Sequence, residues 1–307
     1  MSADRLVRHV GDALLTILVM SAVVFVAVRI LPADPALMLA GEYARPGELE
    51  AIRAALGLDQ PIYVQYGRWL AQVVRGDLGR SIRTQRPVSE LFFARVPATL
   101  ELALSALAIG VVVGLPLGVV GGTRRGSWVD QGVRTAAVLW NSTPHFFLGM
   151  ALILVFGVYL EWLPTFGYGD WRHFILPTAT LASFVVALVA RIVRASILEV
   201  LSADYIRTAR AKGLARPVVI WRHALRNALI PVVTVVGLQF GNLIGGAVVT
   251  EAVFAWPGIG TAAYQAILER DYPVIQAVVL YASAGIIATN LIVDLLYIWL
   301  APQIRTE

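Results

Sequence analysis

Few side chains in this 307-residue sequence could take part in covalent chemistry. There is no cysteine, which excludes disulfides, iron-sulfur clusters and thiolate metal sites. The sequence lacks the Gly-x-x-x-x-Gly-Lys-Ser/Thr phosphate loop, the His-Glu-x-x-His zinc motif and the Gly-x-Ser-x-Gly nucleophile motif. The histidines are scattered over different segments, at His9, His145, His173 and His223. We therefore predict no catalytic residue, no metal site and no ATP site in this chain.

The most informative stretch is residues 204–213, Asp-Tyr-Ile-Arg-Thr-Ala-Arg-Ala-Lys-Gly. Asp204 has the side chain of a helix N-cap, and Gly213 suits the position just after a helix C-terminus. Pro217 suits the first turn of a second helix, because a proline there loses no intrahelical hydrogen bond. The stretch therefore predicts a short helix, a glycine turn and a second helix.

The residue types of the short helix favour docking. Helical spacing places Tyr205, Ala209 and Lys212 along one side, with Arg207 and Arg210 elsewhere. Such a small, partly apolar ridge fits a groove on another protein. The residues that we assign to this docking element are Asp204, Tyr205, Arg207, Thr208, Ala209, Lys212 and Gly213.

This basic segment has two other interpretations. A basic helix-turn-helix can bind DNA, but here both ends run directly into apolar spans, so we predict no nucleic-acid partner. The eight basic residues from Arg191 to Arg226 also mark a cytoplasmic loop by the positive-inside rule. For Arg191 and Arg194 we prefer this topological role, whereas for residues 205–213 we prefer docking.

Two features concern the packing of helices. Gly237, Gly241 and Gly245 recur at four-residue intervals, which lets a neighbouring helix approach closely. We interpret this face as a packing surface, with a sliding surface between transport conformations as the alternative. Pro144, in the run Asn-Ser-Thr-Pro, can open its helix, and we regard it as a candidate bend or gate.

Polar residues within apolar spans are costly and need an explanation. Three acidic residues lie near span ends, where they could reach interfacial water or a partner: Glu101, Glu251 and Asp294. Three amides lie deeper: Gln239, Asn242 and Asn290. For the amides we favour interhelical hydrogen bonds over solute contacts.

The composition indicates which elements must position these residues. Hydrophobic residues make up 58% of the chain, charged residues only 15%, and the mean hydropathy is +0.73. Six runs are long enough to cross a bilayer as helices: residues 13–31, 99–121, 135–160, 173–193, 228–250 and 274–300. Backbone polar groups in lipid must be paired within the segment, so we predict an all-α integral membrane protein with six transmembrane helices.

Basic residues predict the orientation. With the N-terminus inside, the short cytoplasmic segments carry fourteen of them and the short outer loops two. We therefore predict that both termini are cytoplasmic. Residues 1–98 would form an uncleaved anchor helix and an extracytoplasmic segment, and residues 99–307 a five-helix core with a cytoplasmic loop at about 198–228.

The outer segment contains one clear helical pattern. Five large residues recur at helical spacing: Ile62, Tyr66, Trp69, Leu70 and Val73. They predict an amphipathic helix that lies on the outer membrane surface or packs on the bundle.

Residues 204–213 resemble the cytoplasmic loop of ABC importer permeases. The resemblance includes the run at 222–231, Arg-His-Ala-Leu-Arg-Asn-Ala-Leu-Ile-Pro. The similarity is to the dipeptide/oligopeptide/nickel branch, and it extends to six further segments: residues 31–35, 56–61, 76–81, 97–102, 245–251 and 254–260. The resemblance implies one transmembrane subunit of a type I importer. In such an importer the loop forms a coupling helix seated in a cleft of the cytoplasmic ATPase.

The sequence departs from the general pattern of these importers in two places. Their loop starts Glu-Ala-Ala, whereas Arg-Thr-Ala stands here at 207–209, and Pro231 lies further from Gly213 than the general spacing allows. No glutamate of this loop therefore receives a coupling role. Near the C-terminus, Ala-Pro-Gln-Ile-Arg at 301–305 replaces the usual Asp-Pro-Arg-Ile-Arg, so an ion pair by that aspartate is not expected.

The resemblance also implies a function and an assembly. The chain would form half of a path for di- or oligopeptides delivered by an extracytoplasmic binding protein, with nickel, glutathione or a related solute as alternatives. Its partners would be a second, homologous permease in a heterodimer, two cytoplasmic ATPases that bind ATP and magnesium, and the lipid of a bacterial inner membrane. This chain itself would bind no cofactor.

Two other function classes were compared with this one. A secondary carrier would need ionisable residues at mid-bilayer or paired broken helices in matching halves, and the sequence shows neither. A membrane-embedded hydrolase would need a nucleophile and a base within the spans, and none is apparent.

Overall fold

The computed structural model describes residues 3–30, 36–37 and 46–300. These ranges are mostly helical, and strand-like pairing within them is limited to one bridge between Arg80 and Pro87. The predicted all-α fold is confirmed. Three sequence-based expectations concern parts that lie outside the described residues: those on residues 31–35, on residues 301–305 and on the side chain of Asp294.

The helices follow in chain order. The first seven are α1 (Ala3–Ile30), α2 (Pro46–Leu56), α3 (Ile62–Val74), α4 (Val88–Phe93), α5 (Val96–Thr123), α6 (Trp128–Ser142) and α7 (His145–Leu152), which continues as a π-helical stretch, Ile153–Tyr159. The next three are α8 (Trp171–Leu201), α9 (Asp204–Ala211) and α10 (Arg216–Val218), which leads through a π-helical stretch, Val219–Ala224, into the following helix. The last four are α11 (Leu225–Gly246), α12 (Val248–Val253), α13 (Ile259–Leu268) and α14 (Tyr272–Leu300).

Five stretches of the described chain are long and apolar enough to cross a membrane: Gly11–Ile30, Val88–Thr123, Trp171–Leu201, Arg216–Gly245 and Tyr272–Val293. A sixth crossing is present if α6 and α7 with its π-helical extension count as one broken span. These stretches correspond to the six predicted runs.

The third predicted run, residues 135–160, is wrong as a single continuous helix. α6 ends at Ser142, and the helix that begins at His145 is bent from it by 101°. Thr143 adopts an extended conformation, as expected for the residue before a proline, and Pro144 occupies the N-cap position of α7. The bend predicted at Pro144 is therefore confirmed, and it is sharp enough to break the span.

One compact unit consists of the described residues up to Thr99 together with Pro257–Gly285. Here α3 packs on α1, which confirms the predicted amphipathic helix. The Tyr66 hydroxyl lies 2.8 Å from Ser21 Oγ, and the rings of Tyr66 and Trp69 lie 5.3 and 5.4 Å from that of Phe25. The apolar core of this unit includes Val28, Leu78, Val88, Phe92, Ile259, Ile275 and Val278.

A buried carboxylate fixes the loop before α4 in the same unit. Asp271, just before α14, accepts hydrogen bonds from Ser81 Oγ and from the backbone amide of Ile82 at 3.1 Å. The side chain of Asp271 is buried, so these donors replace the water that its charge would otherwise require.

The other compact unit consists of Leu100–Trp256 and the residues from Ile286 onward. Its central element is α8, which packs against α6, α7 and α11. Four apolar side chains of α8 are almost fully buried: Val185, Val189, Val193 and Ile197. The docking element follows directly from this helix.

Candidate functional site

The turn after α9 has the geometry that its sequence predicts. Gly213 has a φ of +75°, which glycine adopts readily and other residues do not. Its amide donates to the carbonyl of Arg210 at 2.9 Å, and the amide of Leu214 donates to that of Ala209 at 3.4 Å. This pair of bonds is a Schellman motif, which ends the helix. Pro217 lies in the first turn of α10, also as predicted.

The N-terminus of α9 differs from its prediction by one residue. Ala203 occupies the N-cap position, and Asp204 is already helical. The prediction of Asp204 as the N-cap is therefore wrong. Its carboxylate instead accepts a hydrogen bond from Arg207 at 3.2 Å, one turn further along the helix. A carboxylate in the first turn still interacts favourably with the helix dipole.

The outward face of α9 is smaller than predicted. Ile206 and Ala209 are buried, and the helix packs on the π-helical stretch Val219–Ala224. The prediction that Ala209 contributes to the docking ridge is wrong, because packing within the chain buries its side chain, whereas Tyr205 and Lys212 of the same ridge are exposed. The docking residues that are exposed are Asp204, Tyr205, Arg207, Thr208, Lys212 and Gly213.

Tyr205 also connects α9 to the start of α11. Asn227 Nδ2 donates to the Tyr205 hydroxyl at 2.7 Å. The two residues border a groove of about 670 Å³ that Glu199, Pro231 and Thr234 also line. Asn227 belongs to the run at 222–231, but no sequence signal predicts its role, because its residue type does not indicate this contact.

The loop is strongly basic at its surface. The exposed basic residues from α8 to the start of α11 are Arg191, Arg207, Arg210, Lys212, Arg216, Arg222 and Arg226. Arg216 additionally donates to the carbonyl of Thr123, the last residue of α5, at 3.1 Å. This surface is suited to contact with an acidic protein. The basic side chains named here do not form a catalytic site.

The glycine face of α11 packs on α14. A Cβ added at Gly237 would collide with Val293, one at Gly241 would lie 3.6 Å from Thr289, and one at Gly245 would lie 3.3 Å from Ile286. The residue numbers of the contacts on α14 decrease from 293 to 286 as the glycine numbers on α11 increase from 237 to 245. The two helices are therefore antiparallel. The interpretation of this face as a packing surface agrees with these contacts.

A second glycine series was missed in the sequence. A Cβ added at any of four glycines of α5 would clash with α8: Gly110 with Val185, Gly114 with Val189, Gly118 with Val193 and Gly122 with Ile197. The signal was present, because these glycines also recur every four residues.

Arg194 has a structural partner that the sequence did not reveal. Its Nη2 donates to Asp130 Oδ2 at 2.8 Å and its Nε donates to Asp130 Oδ1, which makes a bidentate pair. The Asp130 side chain is only 2% exposed, and its Oδ2 also accepts from the amide of Gly126. Arg194 therefore joins α8 to the first turn of α6, in addition to any role in topology.

The polar residues of the spans are in different environments. Glu251 is fully buried, which excludes interfacial water in this structure and leaves a partner as the expected alternative that fits. Glu101 is exposed and accepts a hydrogen bond from the Tyr168 hydroxyl at 3.3 Å. Gln239 is buried, whereas Asn242 and Asn290 are exposed on this chain.

Comparisons with known proteins agree over most of the chain. The family model for the binding-protein-dependent transport system inner membrane component matches residues 114–306. The model for the N-terminal part of such components matches residues 3–103. The glutathione transport system permease protein GsiC of Escherichia coli O6:H1 is 47% identical over 290 residues, 94% of this chain and 95% of that protein. The same permease of Salmonella paratyphi A is 46% identical with the same coverage.

Two solved structures have a similar fold. A chain of the MetNI methionine ABC transporter in an inward-facing conformation gives a TM-score of 0.54 at 23% identity, covering 66% of this chain and 95% of that one. A chain of an amino acid ABC transporter gives a TM-score of 0.54 at 17% identity, with coverages of 68% and 94%. At these identities the likeness concerns the fold.

Proposed function

The chain belongs to the family of binding-protein-dependent transport system inner membrane components, and from this membership we propose that it forms half of an import path for small peptides, with glutathione as the first solute to test. It is a transmembrane subunit of an ABC importer and a multi-pass protein of the inner membrane. It is a transport component, not an enzyme. Such a permease works with partner ATPases and a binding protein.

The solute proposal rests on one observation. Permeases of glutathione transport systems are 46–47% identical to this chain over 94% of its length. Glutathione is a tripeptide with one γ-linkage, so it falls within the class of small peptides that the loop sequence suggests. Other di- and oligopeptides remain in the same class.

The proposed assembly pairs this chain with a second, different permease. Two cytoplasmic ATPases bind ATP and magnesium, and an extracytoplasmic protein delivers the solute. Both termini and the loop at about 198–228 are cytoplasmic in this arrangement, which agrees with the distribution of basic residues. Residues 1–98 contribute an anchor helix and an extracytoplasmic segment, and residues 99–307 the core.

In this proposal α9 is the coupling helix. Tyr205, Thr208 and Lys212 are exposed, so they can contact an ATPase cleft, while Ile206 and Ala209 hold the helix on its own subunit. The Schellman turn at Gly213 fixes the direction in which the chain leaves the helix. The exposed basic residues around it add electrostatic attraction to an acidic cleft.

The bend at Pro144 and the glycine face of α11 are the proposed moving parts. The break after Ser142 separates two rigid helices by a short extended segment, which suits a hinge or gate. The face at Gly237, Gly241 and Gly245 packs on α14 and has no long side chain that would resist sliding.

The test is uptake by the purified complex in proteoliposomes. The tagged chain is purified with its native partners, reconstituted with ATP inside the vesicles, and supplied outside with the binding protein and radiolabelled glutathione. We expect uptake that requires both ATP and the binding protein, and none with a non-hydrolysable ATP analogue. ATP-dependent uptake of other solutes without any of glutathione would overturn the glutathione proposal.

A further inference from the structure

Asn242 and Asn290 are two exposed amides on helices that are mostly apolar. Both lie within spans, Asn242 in α11 and Asn290 in α14. A side-chain amide left in hydrocarbon loses its hydrogen bonds to water, which is costly. Their exposure on this chain therefore calls for a polar environment supplied from outside it.

The helix register brings the two amides together. Asn242 and Asn290 directly follow Gly241 and Thr289, which face each other across the contact of α11 with α14. In an α-helix each side chain points about 100° around the helix axis from the side chain before it. Viewed from one end of an antiparallel pair, this rotation is clockwise in one helix and anticlockwise in the other. Both asparagines thus point to the same side of the helix pair, at the same level.

The same side of α11 is open along its length. Four residues along α11 are exposed, separated by four, seven and four positions: Asn227, Pro231, Leu238 and Asn242. Thr234, which lies between Pro231 and Leu238, is half-buried. These spacings keep all five on one helix face. The face begins at the groove beside Tyr205 and reaches the amide pair, so polar groups recur along it from the loop into the span.

We propose that Asn242 and Asn290 line the solute path and hydrogen-bond the peptide groups of the solute. Each amide side chain has both donors and an acceptor, which matches the N–H and C=O of a peptide bond whatever the side chains of the solute. This assignment rests on the proposed function, because it requires a peptide solute and a path shared with a second permease. It reverses the sequence-based preference for interhelical hydrogen bonds within this chain.

The chain offers a matched control. Ile292 is 57% exposed and lies two residues from Asn290, so it is at nearly the same depth but points about 200° away. In the proposed arrangement Ile292 faces lipid. Since the sequence contains no cysteine, Asn242→Cys, Asn290→Cys and Ile292→Cys each give a single reactive thiol in this chain.

The test measures the reaction of each thiol with a charged, membrane-impermeant maleimide in the reconstituted complex. S-methylglutathione, whose sulfur cannot react, serves as the protecting solute. We expect the thiols at 242 and 290 to react at least about tenfold faster than the thiol at 292, because thiols in hydrocarbon neither ionise nor meet the charged reagent. Added S-methylglutathione with binding protein and ATP should slow both reactions.

Uptake provides a second measurement. Asn242→Leu and Asn290→Leu should raise the solute concentration for half-maximal uptake several-fold, while Ile292→Leu should not. Equal, slow labelling at all three positions in a complex that retains ATP-driven uptake would overturn the path assignment and leave the proposed function intact. Loss of ATP-driven uptake in the unmodified complex would instead contradict the proposed function, and the path assignment with it.

Discussion

The side-chain nitrogen Nδ2 of Asn227 lies 2.7 Å from the hydroxyl oxygen of Tyr205. This hydrogen bond joins the proposed coupling helix α9 to the first turn of α11, a helix that spans the membrane. A displacement of α9 by a partner ATPase would therefore act directly on α11. The contact gives the coupling proposal a specific mechanical link.

We expect Tyr205→Phe to reduce coupling without loss of assembly. The variant removes one neutral hydrogen bond, worth about 1 kcal/mol, so the solute imported per ATP hydrolysed should fall about two- to fivefold. The ratio is measured in proteoliposomes. Tyr63→Phe is the matched control, because the Tyr63 side chain is 74% exposed in another part of the chain. An unchanged ratio in Tyr205→Phe would show that the bond carries no coupling.

Gly213→Ala should destabilise the loop by backbone strain alone. No atom lies within 4 Å of the position a Cβ would take, but the φ of +75° costs a residue with a Cβ about 1 kcal/mol. Gly132→Ala is the control, since its site is equally open and lies inside α6. Thermal unfolding of the purified complex should show a lower midpoint for Gly213→Ala only. Equal unfolding midpoints for Gly213→Ala and Gly132→Ala would show that the backbone at position 213 is not strained by a Cβ.

The sequence was sufficient for features that depend on local pattern. Long apolar runs predict the spans, and the place of Gly213 after a short helical segment predicts the turn there. The four-residue spacing of Gly237 and Gly241 predicts their packing against another helix. The burial of Ala209 could not be predicted, because the inward side of an eight-residue helix is chosen by what it packs against. Arg194 and Asp130 are 64 residues apart, and no local pattern links them. The same holds for Tyr205 and Asn227.

Two of the glycines of α11, Gly237 and Gly241, should differ in their tolerance of a methyl group. A Cβ at Gly237 collides with Val293, whereas one at Gly241 makes an ordinary contact of 3.6 Å with Thr289. We expect Gly237→Ala to destabilise by about 1–3 kcal/mol and Gly241→Ala by less than about 0.5 kcal/mol. Unfolding in detergent mixtures measures both. Equal losses would argue against this packing, and a stable Gly241→Ala without transport would favour a sliding surface.

The buried pair of Asp130 and Arg194 should matter far more than the exposed pair of Asp204 and Arg207. Arg194→Gln leaves the carboxylate of Asp130 buried without its partner, which costs about 3–5 kcal/mol, and Asp130→Asn should cost less because the Arg194 side chain is 19% exposed. The side chains of Asp204 and Arg207 are 94% and 79% exposed, so Arg207→Gln should change stability by less than about 0.5 kcal/mol. Unfolding measurements on the three variants decide this. Similar stability for all three would rule out a structural role for the buried pair.

The proposed seating of α9 on a partner ATPase can be tested by crosslinking from a single cysteine. Thr208→Cys places a thiol on the exposed face of α9, and Thr84→Cys places one in an exposed loop that we predict to be extracytoplasmic. A short bifunctional maleimide-amine reagent is applied to the intact complex. We predict a permease–ATPase product from Thr208→Cys and none from Thr84→Cys. An intact complex in which the thiol at 208 never crosslinks to the ATPase would contradict the account.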